Sequence, residues 1–413
     1  MSKDEIEAVV IGAGPAGLAA ALALANAGIH VAVAAPPQAP GAPADTRTAA
    51  LFPGSITMLE NLGIWAEIAD LCAPLSAIRL VDDRDALLRA PEVLFEACEI
   101  GLPTFGYNVP NAPLVTALHA RCEAMPSAVT LIATSGITRI QTTGQNAVLD
   151  TAEGQQLTAR LVVGADGRRS IARQSAGIET RSWAYEQSAL AVTFTHSRPH
   201  NGVSTEFHRP AGPMTTVPLP GLASSLVWVE RPAAAERLKA LSDADFRQTL
   251  AQRLQGLLGS IGQIGPRALF PLSGLSAQHF GINRVALVGE AGHVIPPIGA
   301  QGLNLGMRDA ATLADCAGEA RRTGRDIGGP EVLSAYDSAR RADVTSRVWS
   351  IDVLNKSLLS PFLPVHLARG LGLFALKGFA PLRRFAMREG LQPSFATPSL
   401  MRPVQGTQAT PGA

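Results

Sequence analysis

Three glycines near the start of the chain have the spacing of a loop that holds a dinucleotide. Gly12, Gly14 and Gly17 form the pattern G-x-G-x-x-G directly after the apolar run "EAVVI". In such a loop the first glycine permits a tight turn, the second lets a pyrophosphate approach the backbone, and the third lets a helix pack on a strand. The spacing predicts dinucleotide binding; the alternative is a glycine turn that serves only the packing of a βαβ unit.

A second glycine-rich loop lies far away in the sequence, in the stretch "NRVALVGEAGHVIPPIGAQGLNLGMRD" at 283–309. An apolar strand leads into a loop of Gly and Pro, and a helix is predicted from about Leu303. Glycine lets backbone N–H groups approach a ligand closely, and the N-terminus of a helix favours an anion or a polarised oxygen. The stretch therefore predicts another wall of a ligand site.

The side chains themselves offer little chemistry. Cys72, Cys98, Cys122 and Cys316 are widely scattered, without a C-x-x-C pair. That spacing argues against a zinc site and is typical of a reduced, cytoplasmic protein. The sequence contains no G-x-S-x-G motif and no cluster with metal-ligand spacing. We therefore predict no metal and leave the catalytic residues unassigned.

Length and charge restrict the class of protein. A chain of 413 residues is long enough for two domains, and a formal net charge of +1 gives no indication of nucleic acid as a partner. The apolar run from Ala8 to Pro37 is long enough to span a bilayer. Glycines near its start, and Asn26 and His30 later, interrupt it, so a strand–turn–helix–strand unit fits better.

Hydrophobic periodicity predicts the elements that position these loops. The first unit has a strand at 7–12, a helix at about 15–27 and a strand at 30–35. This second strand ends in Ala34, Ala35 and Pro36, where a dinucleotide fold usually has an acidic residue for the adenosine ribose. Which group holds that ribose stays open.

Later segments alternate between two kinds of pattern. A helix is predicted near 54–70, and short strands follow at 77–82 and 86–95. "LVVGADG" and "VALVGEAGH" are apolar strands that run into glycine loops, as in a parallel sheet, whereas 181–274 shows strands and turns with two short helical stretches. Parallel α/β elements interrupted by mostly antiparallel β segments predict two interleaved domains.

Three fingerprints now stand in order: "GAGPAG" at 12–17, "VVGADGRRS" at 162–170 and "LVGEAGHVIPPIGAQGLNLGMRD" at 287–309. In this order the chain resembles the FAD-dependent aromatic hydroxylases, which are single-component flavoprotein monooxygenases. Within them it is similar to the ubiquinone-biosynthesis hydroxylases, through "DTRTAAL", "EFHRPAGPMTTVPLP" and "GAQGLNLGMRD". The resemblance covers about residues 5–390.

The resemblance implies an α/β fold in which a Rossmann-like FAD-binding domain is interleaved with a mostly antiparallel β substrate domain. The FAD-binding domain would comprise 1–75, 100–180 and 275–345, and the substrate domain 76–99 and 181–274. A helical C-terminal region would occupy 346–395, followed by a flexible tail at 396–413.

The resemblance also implies a set of cofactor-binding residues. Arg47 would lie near the flavin and its phosphates, Asn111 would contact the cofactor at a helix start, and Asp166 would lie near FAD in an Asp-Gly pair linked to pyridine-nucleotide use. The full set is Gly12, Ala13, Gly14, Pro15, Ala16, Gly17, Arg47, Asn111, Asp166, Gly167, Gly289, Glu290, Pro297, Gly299, Gln301, Gly302, Leu303 and Asn304.

Two residues of the third fingerprint depart from the family pattern. Glu290 replaces the usual Asp that holds the ribityl chain, and Gly292 replaces a more usual alanine. His293 is expected to be structural. The loop after it would wrap the isoalloxazine ring, with the helix N-terminus favouring the negative charge of the reduced flavin.

The activity implied is hydroxylation of an electron-rich ring with NAD(P)H and O₂. Without a second Rossmann fingerprint, NAD(P)H would bind transiently on the surface shared by the two domains. The substrate would be a polyprenylated phenol or quinone intermediate, with Glu206 and His208 of "EFHRP" as candidate substrate-binding residues. The alternative for that pair is an ordinary position on a strand face.

The C-terminal stretch mixes apolar runs with basic residues, a composition found at membrane surfaces. Its basic residues are Lys356, Arg369, Lys377, Arg383, Arg384 and Arg388. Peripheral association with the inner face of a membrane is one interpretation, and packing on the FAD domain or a partner subunit is the other. Other quinone-biosynthesis proteins are candidate partners.

Two other functions remain open at this level. One is a related flavoprotein that acts on another aromatic substrate or reduces prenyl double bonds. The other is a non-catalytic scaffold, which the missing ribose acid and Glu290 would explain.

Overall fold

The computed structural model describes residues 6–37, 45–83, 91–297, 299–359, 378–391 and 397–403. A six-stranded sheet organises the first part of the fold, in the order β19-β20-β12-β1-β2-β8. Its strands are β1 (Ala8–Ile11), β2 (Val31–Ala35), β8 (Val129–Ala133), β12 (Leu161–Gly164), β19 (Gly281–Ile282) and β20 (Val285–Leu287). All neighbours pair in parallel except β19 with β20, which confirms the predicted parallel core.

Long helices cover this sheet. They are α1 (Pro15–Asn26), α4 (Asn111–Glu123), α8 (Gln301–Arg322) and α9 (Pro330–Leu359). Small residues let α1 and α8 approach closely, because a Cβ on Gly306 would lie 3.2 Å from the Cβ of Ala16 and one on Gly318 2.9 Å from that of Ala27. The alanine-rich sequence of α1 is therefore a packing requirement, and the helix is buried along most of its length.

A second, larger sheet has the order β21-β18-β13-β16-β15-β14-β5-β6, with β17 also paired to β13. Its strands are β5 (Ala77–Asp82), β6 (Val93–Glu96), β13 (Thr180–His196), β14 (Val203–His208), β15 (Met214–Leu219), β16 (Ala223–Glu230), β17 (Ile261–Ile264), β18 (Ala268–Ala277) and β21 (His293–Val294). All neighbouring strands pair in antiparallel fashion except β14 with β5, as predicted for the mostly antiparallel sheet.

Two helices cover the outer face of the large sheet: α6 (Pro232–Ala240) and α7 (Asp243–Leu254). Phe246 and Leu250 of α7 are fully buried in one cluster with Trp228 of the sheet. The remaining elements are β3 (Thr48–Leu51), β4 (Ala73–Pro74), β7 (Tyr107–Pro110), β9 (Ile137–Thr142), β10 (Ala147–Thr151), β11 (Gln156–Ala159), α2 (Pro53–Asn61), α3 (Trp65–Ile68), α5 (Ile171–Ser175) and α10 (Ala380–Leu391). The inner face of the large sheet is left to meet the nucleotide-binding part.

The structure corrects three details of the sequence prediction. The helix expected near 54–70 is broken, since α2 ends at Asn61 and Gly63 has a φ of +73°. The boundary predicted at 345/346 falls inside α9, which runs without a break from Pro330 to Leu359.

The third correction concerns the C-terminal tail. The described residues 397–403 are not a loose tail, because Leu400 and Met401 are buried and Ser399 bonds to Asp315 of α8. The rest of the predicted tail, together with Arg369 and Lys377, lies outside the described residues. In the part of the chain that is described, no helix is both long enough and apolar enough to cross a bilayer.

Candidate flavin and substrate site

A cavity of about 330 Å³ lies where β1, β12 and β20 end. We call it the cofactor cavity. Its lining comes from five separate parts of the chain, as expected where loops gather at the carboxyl edge of a parallel sheet. The predicted cofactor residues that line it are Gly14, Pro15, Ala16, Gly17, Arg47, Asn111, Gly167, Gly289, Glu290, Gly302 and Leu303.

The first glycine loop has the geometry that a pyrophosphate requires. Gly12 has a φ of +106°, and a Cβ there would lie 2.5 Å from the carbonyl oxygen of Ala165. A Cβ on Gly17 would lie 2.2 Å from the carbonyl oxygen of Gly12, whereas one on Gly14 would meet nothing within 4 Å. Gly12 and Gly17 thus allow α1 to approach the strands, and Gly14 leaves open space beside the cavity.

Two helix N-termini open into this cavity. The N-cap of α1 is Gly14 and that of α8 is Ala300; neither has a side-chain cap, and neither helix has an acidic residue in its first turn. Their first N–H groups therefore have no intrahelical or capping partner. Both helix dipoles favour negative charge at the cavity, which fits a pyrophosphate at α1 and a flavin that becomes anionic on reduction at α8.

Asn111 and Arg47 share a carboxylate that the sequence analysis did not single out. Asp45 accepts hydrogen bonds from Nε and Nη2 of Arg47, at 2.8 and 2.7 Å, and from Nδ2 of Asn111, at 3.3 Å. Burial alone would raise the pKa of Asp45, but its bonds to Arg47 hold that pKa below the ordinary value. The spacing D-x-R in "DTR" was the available signal.

The side-chain carbonyl oxygen of Asn111 is a buried hydrogen-bond acceptor whose environment indicates a ligand. Oδ1 is buried and has no hydrogen-bond partner among the described residues, yet Asn111 lines the cofactor cavity. A buried acceptor without a partner costs free energy unless a ligand or water donates to it. A hydroxyl of FAD would supply that donor, so the residues present fit the cofactor.

A second, adjoining cavity of about 210 Å³ lies between the large sheet and the loop after His293. We call it the substrate cavity. Arg47, Glu290 and Ile295 line both cavities, so the two meet at these residues. Its sheet wall consists largely of small or apolar side chains, among them Ala189, Ala191, Val227, Phe270 and Leu272.

Glu290 lies at the junction of the cavities and is held by a residue of the second fingerprint. Its Oε2 is 3.1 Å from Nε of Arg168, whose Nη1 donates to Ser273 of the large sheet at 3.1 Å. Sequence reasoning missed Arg168, although it stands next to the Asp-Gly pair. The longer stem of Glu, compared with Asp, lets the carboxylate reach this partner.

We expect Glu290→Gln to weaken FAD binding at least threefold while leaving the melting temperature of the apoprotein within about 1 °C. The ion pair is about half exposed, and such pairs contribute little to stability, about 0–1 kcal/mol. Titration of apoprotein with FAD, followed by flavin fluorescence, measures the first effect, and thermal melts measure the second. Unchanged FAD affinity would remove Glu290 from the cofactor set.

A buried ionic cluster stands behind the cofactor loop. Asp309 of α8 is fully buried, and its Oδ2 accepts from the backbone N of Gly289 at 2.9 Å and from Nε2 of His293 at 2.7 Å. Nε of Arg340 in α9 donates to Oδ1 at 2.6 Å. Asp309 thereby ties together both ends of the turn that carries Glu290. His293 pairs with Asp309 and has a structural role. The sequence "GMRD" did not indicate that its Asp would hold this turn.

Other predicted residues do not line the cofactor cavity in this structure. Oδ2 of Asp166 accepts from the backbone N of Ile171 at the start of α5, whereas its buried Oδ1 has no hydrogen-bond partner among the described residues. The side-chain amide of Asn304 is fully used, since it accepts from Phe52 N and Ser55 Oγ and donates to Ala50 O and Ala300 O. Pro297 lines the substrate cavity instead. The structure does not place Gly12, Ala13, Gly299 or Gln301 on the cofactor cavity wall.

Glu206 and His208 form a pair on the large sheet. Nε2 of His208 lies 2.7 Å from Oε1 of Glu206. Glu206 is opposite Thr215, which is opposite Val227 on the cavity wall, and opposed residues of neighbouring strands share a face. The pair therefore lies on the correct face but two strands from Val227, outside the lining of either cavity.

Comparison with known proteins identifies the relatives of this chain. The family model described as "FAD binding domain" matches residues 5–349. The ubiquinone hydroxylase UbiL of Rhodospirillum rubrum is 36% identical over 394 residues, covering 94% of this chain and 90% of that protein. The 3-demethoxyubiquinol 3-hydroxylase of Escherichia coli is 31% identical over 397 residues, covering 95% and 100%. Among solved structures, p-nitrophenol 4-monooxygenase PnpA from Pseudomonas putida has the same fold, with a TM-score of 0.75 at 20% identity over 95% of this chain and 99% of that one.

Fold and site together define a flavoprotein of the FAD-dependent aromatic hydroxylase class. The chain belongs to this family and, within it, to the ubiquinone-biosynthesis hydroxylases. FAD is its cofactor and NAD(P)H its co-substrate, as the sequence resemblance implied.

Proposed function

We propose that this enzyme hydroxylates the aromatic ring of a polyprenylated phenol or quinone precursor of ubiquinone. The observation that carries the proposal is the junction of the two cavities at Arg47, Glu290 and Ile295. A ring in the substrate cavity would face the cofactor cavity there. The related proteins that bear ubiquinone names support the choice of substrate class.

The chemical character of the substrate cavity supports a neutral, apolar ring. Its described wall carries three charged side chains, of which Arg168 pairs with Glu290 and Arg47 with Asp45. A carboxylate on the substrate would have to compete with Glu290 for Arg168 or with Asp45 for Arg47. An uncharged phenol can instead lie against Ala191, Val227 and the other apolar residues.

The overall reaction consumes the phenol, O₂, NAD(P)H and a proton, and yields the hydroxylated phenol, NAD(P)⁺ and water. Bound FAD supplies the transfer of electrons from NAD(P)H and the activation of O₂. The N–H groups at the start of α8 stabilise negative charge on the adjacent ligand. Apolar residues of the large sheet exclude water and hold the ring, so that reducing power goes into product.

The location of the enzyme follows from the same substrate class. A polyprenyl chain partitions into the bilayer, so we infer that the enzyme works in the cytoplasm at the inner face of the membrane, as a peripheral protein. Other proteins of quinone biosynthesis would pass intermediates to it. Co-sedimentation of the protein with membranes prepared from its own cells would test this location.

The test of the proposed activity begins with an absorbance spectrum of the purified protein. We expect flavin bands, and oxidation of NADH or NADPH that a demethoxy- or polyprenylphenol analogue accelerates. Mass spectrometry should find one oxygen from ¹⁸O₂ in the product. A yellow protein that oxidises NAD(P)H to NAD(P)⁺ and reduces O₂ only to H₂O₂ with every phenol offered would contradict the proposal. A protein that cannot be reconstituted with FAD would indicate a scaffold.

Filling the substrate cavity should separate ring binding from cofactor binding. Ala191 of β13 is opposite Val227, and both line the cavity. We expect Ala191→Leu to raise KM for the phenol analogue at least tenfold, because the added methyl groups occupy the space of the ring. FAD content and the slow oxidation of NAD(P)H without substrate should be unchanged. Loss of FAD in this variant would show that the two cavities are not distinct sites.

A further inference from the structure

The two faces of α10 have different environments. Met387 and Leu391 are buried against Ile78 and Phe95 of the large sheet. On the opposite side Leu382 is 41% and Phe385 63% exposed, and Phe379, just before the helix, is 59% exposed. Residues three apart lie on one side of a helix. We call Phe379, Leu382 and Phe385, together with Arg384 and Arg388, the outer surface of α10.

The buried side of α10 packs near the wall of the substrate cavity, and its C-terminal end contacts the start of α8. The cluster under it includes Val217, which is opposite Ser225, a residue of the substrate cavity wall. At the C-terminal end of α10 the carbonyl oxygen of Gly390 accepts from Nε2 of Gln301, the first residue of α8, at 3.2 Å. Near its start, Nε of Arg383 donates to Glu99 at 2.8 Å. The helix is thus fixed over the sheet face that forms the cavity.

The outer surface combines exposed aromatic rings with positive charge. Arg384 and Arg388 are exposed and four residues apart, so they lie one turn apart along one flank of the apolar side chains. The chain as a whole has a net charge of only +1, so this pairing of rings with arginines is a local feature. Aromatic and apolar side chains flanked by Arg are the composition that binds bilayers with anionic headgroups.

We propose that the outer surface of α10 docks the enzyme on an anionic lipid bilayer and places the substrate cavity beside the membrane. The proposal rests on the proposed function in one respect, the delivery of a polyprenylated substrate. Phe379, Leu382 and Phe385 enter the headgroup region, and Arg384 and Arg388 contact lipid phosphates. The prenyl chain then has a short path from the bilayer, past the apolar cluster under α10, to the cavity.

The experiment measures sedimentation of the full-length holoenzyme with vesicles. Vesicles of phosphatidylcholine mixed with phosphatidylglycerol are compared with vesicles of phosphatidylcholine alone. We expect Phe379→Ser with Phe385→Ser to reduce binding at least tenfold to either vesicle. Arg384→Gln with Arg388→Gln should reduce binding to the anionic vesicles about 25-fold, at about fivefold for each arginine near the surface, and leave binding to neutral vesicles unchanged.

Leu222→Ser is the matched control, since Leu222 is 46% exposed on the loop between β15 and β16 and is not part of the cluster that packs against α10. It should bind vesicles like the unsubstituted protein. Equal binding by all variants, or an equal loss in the control, would overturn the proposal. So would a change of molar mass in light scattering when Phe379 and Phe385 are replaced, because that surface would then bind a second copy of the chain.

A second readout separates this proposal from the proposed activity. The variants of the outer surface should oxidise NAD(P)H normally with a short-chain, water-soluble phenol and lose turnover only for a long-chain phenol presented in vesicles. If no phenol is hydroxylated even by the unsubstituted protein, the proposed activity fails, and vesicle binding still decides whether the surface docks on lipid.

Discussion

Asp309→Ala should lower the free energy of unfolding of the apoprotein by about 3–5 kcal/mol and abolish retention of FAD through purification. The carboxylate is fully buried and contacts the side chains of Arg340 and His293, which are also buried. Without Asp309, His293 loses its acid and Arg340 keeps only Asp343 as a partner, and removing one member of a buried ion pair is strongly destabilising. FAD is lost as well because Asp309 holds both ends of the turn that presents Glu290.

Two further variants make this prediction specific. Asp309→Asn keeps the shape and one acceptor but removes the charge, so it should destabilise the protein less than alanine does. Glu319→Gln removes an exposed acid from the same helix, where it pairs with Arg322, and should change stability by less than about 0.5 kcal/mol. Urea unfolding of the apoproteins and the absorbance ratio of flavin to protein are the measurements. If Asp309→Asn and Glu319→Gln lowered the free energy of unfolding equally, Asp309 would have no special role.

Stability against acid provides an independent readout of the same group. Burial raises the pKa of Asp309, but the charges of His293 and Arg340 and the bond from Gly289 bring it below the ordinary value of 3.8. A group whose pKa is depressed on folding stabilises the protein above its unfolded-state pKa, and this stabilisation is lost as the pH falls through the folded-state pKa. As the pH falls below about 4, the Asp309→Asn variant should therefore lose less stability than the unsubstituted protein.

The second large effect separates two glycines of one motif. Gly17→Ala should destabilise the apoprotein by about 1–3 kcal/mol, because its Cβ would lie 2.2 Å from the carbonyl oxygen of Gly12 and α1 would have to move off the sheet. Gly14→Ala should leave the apoprotein as stable as before, since its φ is −74° and a Cβ there meets no atom within 4 Å. It should instead weaken FAD binding at least tenfold, because the methyl group occupies space that the pyrophosphate needs.

Chemical unfolding without FAD and flavin fluorescence titration measure the two effects separately. Gly136→Ala is a control, because a Cβ there also meets nothing within 4 Å and Gly136 lies on the loop before β9, outside the cofactor cavity. It should change neither quantity. A Gly14→Ala variant that binds FAD normally would show that the pyrophosphate does not approach this part of the loop.

Much of the fold could be predicted because its signals are local. The first βαβ unit was predicted within a residue or two, since a buried strand, a glycine turn and an alanine-rich helix follow one another without interruption. The interleaving of two sheets was predicted from the change between parallel and antiparallel patterns. The prediction of a single helix at 54–70 was wrong. The helical spacing of apolar residues continues past Gly63, but the positive φ of Gly63 interrupts the helix there.

The candidate site was predicted unevenly for the same reason. Motif residues whose backbone faces the ligand, such as Gly14 and Gly302, do line the cavity. Asn304 belongs to the same motif as Gly302, but its side-chain amide forms hydrogen bonds with Phe52, Ser55 and two backbone carbonyl oxygens. A motif records that a residue is needed near the site; it does not record whether the side chain holds the ligand or the loop.

By itself the sequence determined the cofactor class, the order of the elements and the residues of the glycine loops, because these depend on neighbours along the chain. Only the tertiary structure decided which charges compensate each other. Asp309 meets Arg340, Glu290 meets Arg168, and Asp45 serves both Arg47 and Asn111. Most of these partners are far apart in sequence, and a carboxylate accepts from whichever donors the packing of helices and sheets brings within about 3 Å. The outer surface of α10 was likewise decided by packing, since its amphipathic sequence does not say which apolar side chains the sheet leaves uncovered.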